Sequence, residues 1–135
     1  MAELTGLPVY ELDKLYWDER LVVMTPDEWV NRQSIVVAND RWILDGDLGP
    51  NDVMEPRLIR ADTIVIVDIH VVKCVIRVLR RGARRRDFWI WMLSWARIYR
   101  PQILQDVRKY APAANLVILK TSGEVSRWLD RFDET

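Results

Sequence analysis

The chain has 135 residues, and its 20 basic and 20 acidic side chains give a net charge of zero. This length suits one domain, residues 1–135, with a buried core, and a composition that is 50% hydrophobic argues against disorder. A single cysteine excludes an internal disulfide and fits a reducing, cytoplasmic setting. No apolar run reaches the roughly 18 residues of a membrane helix, so we expect no membrane partner.

The balanced total conceals an uneven distribution of charge. Residues 1–72 carry 6 basic and 14 acidic side chains, residues 73–109 carry 11 and 2, and residues 110–135 carry 3 and 4. Proteins that bind nucleic acid nonspecifically are usually basic overall. The acidic first half therefore argues against a nucleic-acid partner, and a basic nucleic-acid-binding module is the weaker alternative.

The first 40 residues predict a strand and a helix. The segment from Pro8 to Asp13 predicts a short strand that ends in a carboxylate. Thr25-Pro26-Asp27-Glu28 predicts a helix start, because Thr25 can cap, Pro26 fits the first turn and Glu28 completes a capping box. Apolar positions that include Ile35 extend this helix to Asn39-Asp40.

Two strands and a short helix follow. The segment from Trp42 to Leu44 predicts a strand that runs into Asp45-Gly46, and Asn51 is a candidate cap for a helix that Pro56 interrupts. The segment from Thr63 to Asp68 is continuously apolar and β-branched before its final carboxylate. We therefore expect a strand with both faces buried, as in a parallel sheet.

The second half continues the alternation of helices and strands, which predicts a parallel α/β sheet. A helix is predicted from Val71 to Arg81, and a helical region from Phe88 to Tyr110 is broken or kinked by Pro101. The last strand spans Asn115 to Lys120, and a capping box at Thr121 and Glu124 starts the final helix. The inward positions of that helix are Val125, Trp128, Leu129 and Phe132.

Aspartates end three of the predicted strands, at Asp13, Asp45 and Asp68. Ligands of open parallel sheets bind beyond the carboxyl ends of the strands. Carboxylates there can orient a hydroxyl acceptor and the waters of Mg²⁺, which prefers oxygen ligands. The alternative is that each aspartate caps the helix or turn that follows it.

A stripe of basic residues follows one face of the helix predicted over residues 71–81. Its members are Lys73, Arg77, Arg80, Arg81 and Arg84. Arg97 and Arg100 lie on the next helical region. Such groups can neutralise the oxygens of a transferring phosphoryl group. The alternative is a solvated basic face.

Four blocks of the sequence together resemble a known family. They are Leu12 to Trp17, Arg41 to Gly46, Arg60 to Asp68 and Arg77 to Arg81. Their order and spacing are similar to those of the DNA topology modulation protein (FlaR-like) family of adenylate-kinase-like P-loop NTPases. The resemblance runs from about Ala2 to the last helix, and it implies a three-layer parallel sheet with flanking helices, of the P-loop kinase type.

The resemblance implies roles for the acidic strand ends. Asp13, Trp17 and Asp47 would bind the phosphate acceptor, a nucleotide or another small hydroxyl compound. Asp45 would order the waters of Mg²⁺ beside ATP. The sequence departs from the family at Asp47, where Asn is common, and at His70, where Pro is common.

The resemblance also implies a phosphate-binding side. Arg77 and Arg81 would start a lid of about residues 82–87, with catalytic roles shared by Arg97 and Arg100. The basic residues of that lid are Arg84, Arg85 and Arg86.

One feature of the family is missing from the sequence, which contains no Gly-x-x-x-x-Gly-Lys-Ser/Thr loop. Residues 1–8 resemble the end of the helix that follows this loop and its exit turn. The resemblance therefore implies a domain that is truncated relative to the family and lacks the first, central strand. That strand normally lies between the strands at Trp42 and Thr63, and its absence would expose their edges or make them pair.

Two functions follow from this departure. The first is a degenerate kinase-like domain that acts through protein contacts as a homo-oligomer or with a partner chain. The second is a fragment of an active ATP-dependent kinase whose loop is supplied upstream or by a partner.

Overall fold

The computed structural model describes residues 2–17, 24–49, 52–68 and 94–133. These residues form a mixed α/β structure in which short strands pair in parallel. In chain order the elements are α1 (Ala2–Thr5), β1 (Val9–Glu11), α2 (Leu12–Tyr16), α3 (Pro26–Val37), β2 (Ile43–Asp45), α4 (Glu55–Arg60), β3 (Thr63–Val67), a π-helical segment (Trp95–Tyr99), α5 (Arg100–Tyr110), β4 (Asn115–Leu119) and α6 (Ser122–Asp133).

The chain divides into two compact units. The first unit comprises Met1–Ala61 with Asp106–Pro112, and the second comprises Asp62–Gln105 with Ala113–Thr135. None of the described helices combines the length and the apolar character needed to cross a bilayer. The helix predicted over residues 71–81, the lid over residues 82–87 and the candidate cap Asn51 lie outside the described residues.

The strand pair of the first unit joins β1 to β2 in parallel. Val9 is in register with Ile43, and Glu11 is in register with Asp45. The strand predicted to run into Asp45 is confirmed. The strand predicted to end at Asp13 is shorter than expected, because the chain turns into α2 directly after Glu11.

Helix α3 begins at the predicted capping box. The Glu28 amide donates to Thr25 Oγ1 over 3.3 Å, and the Thr25 amide donates to Glu28 Oε2 over 2.8 Å. The helix ends at Val37, just before the predicted stop. Trp29, Val36 and Val37 of this helix are buried, whereas Ile35 is 63% exposed.

Pro56 starts a helix instead of interrupting one. It occupies the first turn of α4, where its missing amide proton has no intrahelical acceptor to lose. Helix α4 packs against α3. This contact places the two helices around a shared buried polar network.

The apolar core of the first unit is built around Leu12, Tyr16 and Trp29, all buried. The Tyr16 and Trp29 rings meet edge to face with their centroids 5.3 Å apart, a favourable aromatic geometry. The residues packed against this cluster are Leu15, Met24, Leu44, Leu48 and Val53. Helix α2, helix α3 and strand β2 therefore share one core.

A buried ion pair between Asp52 and Arg57 lies beside that core. The Asp52 side chain is 2% exposed and the Arg57 side chain 9%. Both guanidinium NH groups donate to the carboxylate, a bidentate geometry that fixes both side chains. Trp29 Nε1 donates to the same carboxylate over 3.2 Å.

Gln33 connects the ion pair to the neighbouring backbone. Its Oε1 accepts a hydrogen bond from Arg57 Nη1 over 2.7 Å, and its Nε2 donates to the carbonyl of Val53 over 2.9 Å. Gln33 is fully buried, and among the described residues no buried side-chain polar atom lacks a partner. The network therefore ties α3 and α4 to the segment between β2 and α4.

The strand pair of the second unit joins β3 to β4 in parallel, with Val65 in register with Val117. Both strands are confirmed where the sequence predicts them. The expectation that β3 is buried on both faces is wrong. Ile66 is buried, but Val65 is 36% exposed and Val67 50% exposed.

Pro101 does not break its helix. The described backbone is helical from residue 94 to residue 110, and it changes from π-helical to α-helical at Arg100. Proline lacks an amide proton for the helical ladder, and a π-helical segment is one way to accommodate it. The outcome is a local change of helical geometry.

Helix α6 is capped by Thr121, whose Oγ1 accepts from the Glu124 amide over 3.1 Å. The Glu124 carboxylate accepts from the Lys120 amide, one residue before the expected partner. The predicted inward positions are half-buried. Trp128 and Phe132 among them meet edge to face at 5.0 Å.

Breaking the buried ion pair should cause a large loss of stability, which a second substitution should partly restore. Arg57→Met leaves the Asp52 carboxylate buried without its cation and should lower the free energy of unfolding by about 3–5 kcal/mol. Adding Asp52→Asn removes the stranded charge and keeps an acceptor for Trp29, so stability should partly return. Urea denaturation measures both variants, and a double variant less stable than Arg57→Met alone would contradict this account.

Candidate functional site

The carboxyl ends of β1 and β2 bring two carboxylates side by side. Glu11 ends β1 and Asp45 ends β2, and the two residues are in register. Both residues are exposed. Lys14 Nζ lies 2.8 Å from Glu11 Oε1, in an ion pair that solvent screens on both sides.

Asp13 does not end a strand, which corrects the sequence prediction. It lies in the first turn of α2, exposed, where a carboxylate interacts favourably with the helix dipole. The acidic partner of Asp45 in the strand register is Glu11 instead. Sequence reasoning missed Glu11 because its place follows from where β1 stops, and the apolar pattern continues through Leu12.

The turn after β2 is fixed by a glycine. Gly46 has a φ of +124°, a backbone angle that residues with a Cβ rarely adopt. A Cβ at this position would lie 3.4 Å from Leu12 Cβ. The backbone of this turn therefore packs closely on the core residue Leu12.

Asp47 shapes the same turn. Its Oδ1 accepts a hydrogen bond from the Gly49 amide over 2.8 Å. Asp52 Oδ2 accepts from the Leu48 amide over 3.4 Å, and the Asp52 amide donates to the Gly49 carbonyl over 3.2 Å. The turn that carries Asp45 and Asp47 is thus held by the buried ion pair.

Trp17 presents an aromatic surface after α2. Its side chain is 43% exposed, and its ring meets Tyr16 edge to face at 5.7 Å. The Trp17 amide donates to the Asp13 carbonyl over 3.3 Å, which closes the last turn of α2. An exposed indole supported from behind can stack on a planar ligand.

The carboxylates at the carboxyl ends of β1 and β2 do not form a complete metal site. Within the described ranges no three His, Cys, Asp or Glu side chains come close enough together to hold an ion. Mg²⁺ in phosphoryl-transfer sites is commonly held by one or two carboxylates, several waters and substrate phosphates. Asp45 would suit that role only with a nucleotide already bound.

The third predicted strand end carries an ion pair. Asp68 follows β3, and its Oδ2 lies 2.7 Å from Arg100 Nε. The two side chains are 19% and 33% exposed, so the pair is partly shielded from water. The structure therefore pairs one of the acidic strand ends with an arginine that the sequence analysis placed on the phosphate-binding side.

Of the remaining basic candidates, the structure describes only one. Arg97 is exposed on the π-helical segment. Five others, Arg77, Arg81, Arg84, Arg85 and Arg86, lie outside the described residues, as does His70. Their assignment to a lid and a phosphate clamp stays a prediction.

Comparisons with known proteins give no independent assignment. No family model, no curated protein and no solved structure matches this chain.

The turn after β2 predicts a difference between two glycines of the same loop. Gly46→Ala should lower the free energy of unfolding by about 1–3 kcal/mol, because its φ is unfavourable and the new methyl group meets Leu12. Gly49→Ala is the matched control: it has a φ of +62° with nothing within 4 Å of the new Cβ. Chemical denaturation should find Gly46→Ala the less stable of the two, and the opposite order would be inconsistent with this turn.

Proposed function

We propose that the chain is an adenylate-kinase-like α/β domain that acts through protein contacts, without efficient ATP phosphotransfer of its own. The observation that carries the proposal is the open side of each strand pair. Within the described residues β2 pairs only with β1, and β3 pairs only with β4. Unpaired strand edges favour pairing with another chain. A homo-oligomer or a partner chain would pair with these edges.

The charges of the second unit support the same proposal. A phosphate clamp requires a guanidinium group whose charge is available to the phosphate oxygens. Arg100 already pairs with Asp68 at 2.7 Å. The sequence also contains no Gly-Lys-Ser/Thr loop, whose backbone amides and lysine cradle the phosphates in this class of enzyme.

A second candidate is a fragment of an active ATP-dependent kinase for a nucleotide or a small hydroxyl compound. The exposed Asp45 favours it, because this carboxylate stands at the carboxyl end of a parallel strand, where such kinases hold the waters of Mg²⁺. The phosphate loop would then come from an upstream segment or a partner chain. The single cysteine is compatible with a cytoplasmic location for either candidate.

Calorimetry with Mg-ATP separates the two candidates. The first predicts no saturable heat at millimolar nucleotide, because the sequence contains no Gly-Lys-Ser/Thr loop to bind the phosphates. It also predicts a molar mass that rises with protein concentration in light scattering, through pairing at the strand edges.

The matched variant for the calorimetry is Asp45→Asn, which keeps the shape of the side chain and removes its charge. Under the first candidate this variant leaves the titration unchanged. Saturable binding of Mg-ATP by the parent chain, weakened by Asp45→Asn, would refute the first candidate and support the second.

A further inference from the structure

The open edge of β3 is defined by its hydrogen bonds to β4. The Asn115 amide donates to the Asp62 carbonyl over 2.8 Å, and the Asp68 amide donates to the Leu119 carbonyl over 2.7 Å. In a parallel ladder the backbone groups of alternate residues point to opposite sides. The amides and carbonyls facing β4 are therefore those of Ile64 and Ile66.

The other edge of β3 presents the amides and carbonyls of Thr63, Val65 and Val67. No strand within the described ranges pairs with this edge. The side chains of all three residues are exposed, to 36% for Val65 and 50% for Val67. Backbone donors and acceptors in this arrangement are a template for pairing with another strand, and such pairing would remove the neighbouring valines from water.

The composition of β3 suits pairing with a copy of itself. A two-fold axis brings each side chain of an edge against the same set from the second copy, so a charged edge repels itself. Strand β3, Thr63–Val67, contains no charged residue and no proline. Its β-branched side chains favour extended backbone.

The edge of β2 is less suited to self-pairing. This strand has 3 residues, and only Leu44 within it directs both backbone groups away from β1. It ends in the exposed Asp45, with Asp47 two residues later. A symmetric pair along this edge would exchange the hydrogen bonds of only one residue of β2, Leu44.

We propose that β3 pairs antiparallel with β3 of a second copy of this chain, about a two-fold axis that passes through Val65. This inference rests on the proposed function, since it names the partner and the surface of the protein contact. Val65 then lies opposite Val65 of the second copy, and Thr63 lies opposite Val67 of the second copy. Each of these pairs exchanges two backbone hydrogen bonds.

The ends of this ladder are compatible with the register. Asp62 lies opposite Asp68 of the second copy, a placement that would repel if both carboxylates were free. Asp68 is already neutralised by Arg100, at 2.7 Å and partly shielded from water. At each end of the ladder, Asp62 of one copy therefore lies opposite the Asp68–Arg100 ion pair of the other copy.

Disulfide trapping tests the register directly. In a Cys74→Ser background, Val65→Cys places one thiol of each copy on the two-fold axis. Residues directly opposite in such a pair have Cα atoms about 5.5 Å apart, which is within the range of a disulfide. Mild oxidation should convert most of the full-length chain to a covalent dimer on a non-reducing gel.

Two further variants supply the control for register. Thr63→Cys alone should give no covalent dimer under the same oxidation, and neither should Val67→Cys alone. A mixture of the two should crosslink, because Thr63 lies opposite Val67 of the second copy. Crosslinking of Thr63→Cys with itself would overturn the register.

Introducing a charge at the open edge of β3 tests the proposed contact without a disulfide. Val65→Lys should abolish the concentration-dependent dimer in light scattering, because two ammonium groups would meet at the axis. Val9→Lys is the matched control, since Val9 is a strand valine exposed to 38% on β1, and it should dimerise normally. The circular dichroism spectra of both variants should match that of the parent chain, which checks that they fold.

The outcomes separate this inference from the proposed function. A dimer that forms without trapping at Val65→Cys overturns the β3 pairing and leaves the protein-contact function standing. A chain that remains monomeric at every concentration and shows no trapping overturns the pairing as well. Saturable binding of Mg-ATP contradicts the proposed function whatever the oligomeric state.

Discussion

A backbone amide or carbonyl of a β-strand that is removed from water requires a hydrogen-bond partner in the protein, and this requirement governs both units of the protein. A parallel pair satisfies only the inner side of each strand. In the first unit β1 covers one side of β2, and in the second unit β4 covers one side of β3. Two-stranded sheets of this kind are marginal alone, and packing against helices or pairing with further strands stabilises them.

In the first unit, buried polar groups rather than long strands hold the helices and the turn after β2 together. The bidentate Asp52–Arg57 pair, with Trp29 and Gln33 bonded to it, fixes α3, α4 and the turn after β2 in one network. Because that turn carries Asp45 and Asp47, the candidate acceptor side depends on a buried ion pair. Breaking one partner of such a pair leaves an uncompensated charge, so the network is sensitive to single substitutions.

Local signals in the sequence predicted the elements well. The capping box at Thr25 and the strands at Ile43, Thr63 and Asn115 were expected from side-chain chemistry and apolar patterns, and the structure contains them. Pro56 was misjudged because a proline two positions into a helix resembles a breaker when the helix start is not yet known.

Features that depend on spatial neighbours were not predictable in the same way. The place of Asp13 in α2 depends on where β1 ends, which is two residues earlier than the sequence predicted. The pairing of Asp68 with Arg100 joins positions far apart in the chain. The exposure of Val65 and Val67 depends on which strands are present beside β3, and an apolar β-branched run by itself predicts burial. The relation to P-loop kinases rests on the four sequence blocks and is a proposal.

Hydrogen exchange of the β3 amides at two protein concentrations tests the central claim most directly. The account predicts that the amides of Ile64 and Ile66 are protected at both concentrations, because β4 accepts their hydrogen bonds. The amides of Val65 and Val67 should exchange rapidly in dilute protein and become protected in concentrated protein. Rapid exchange of Val65 and Val67 at both concentrations would contradict the completion of this edge by a second chain.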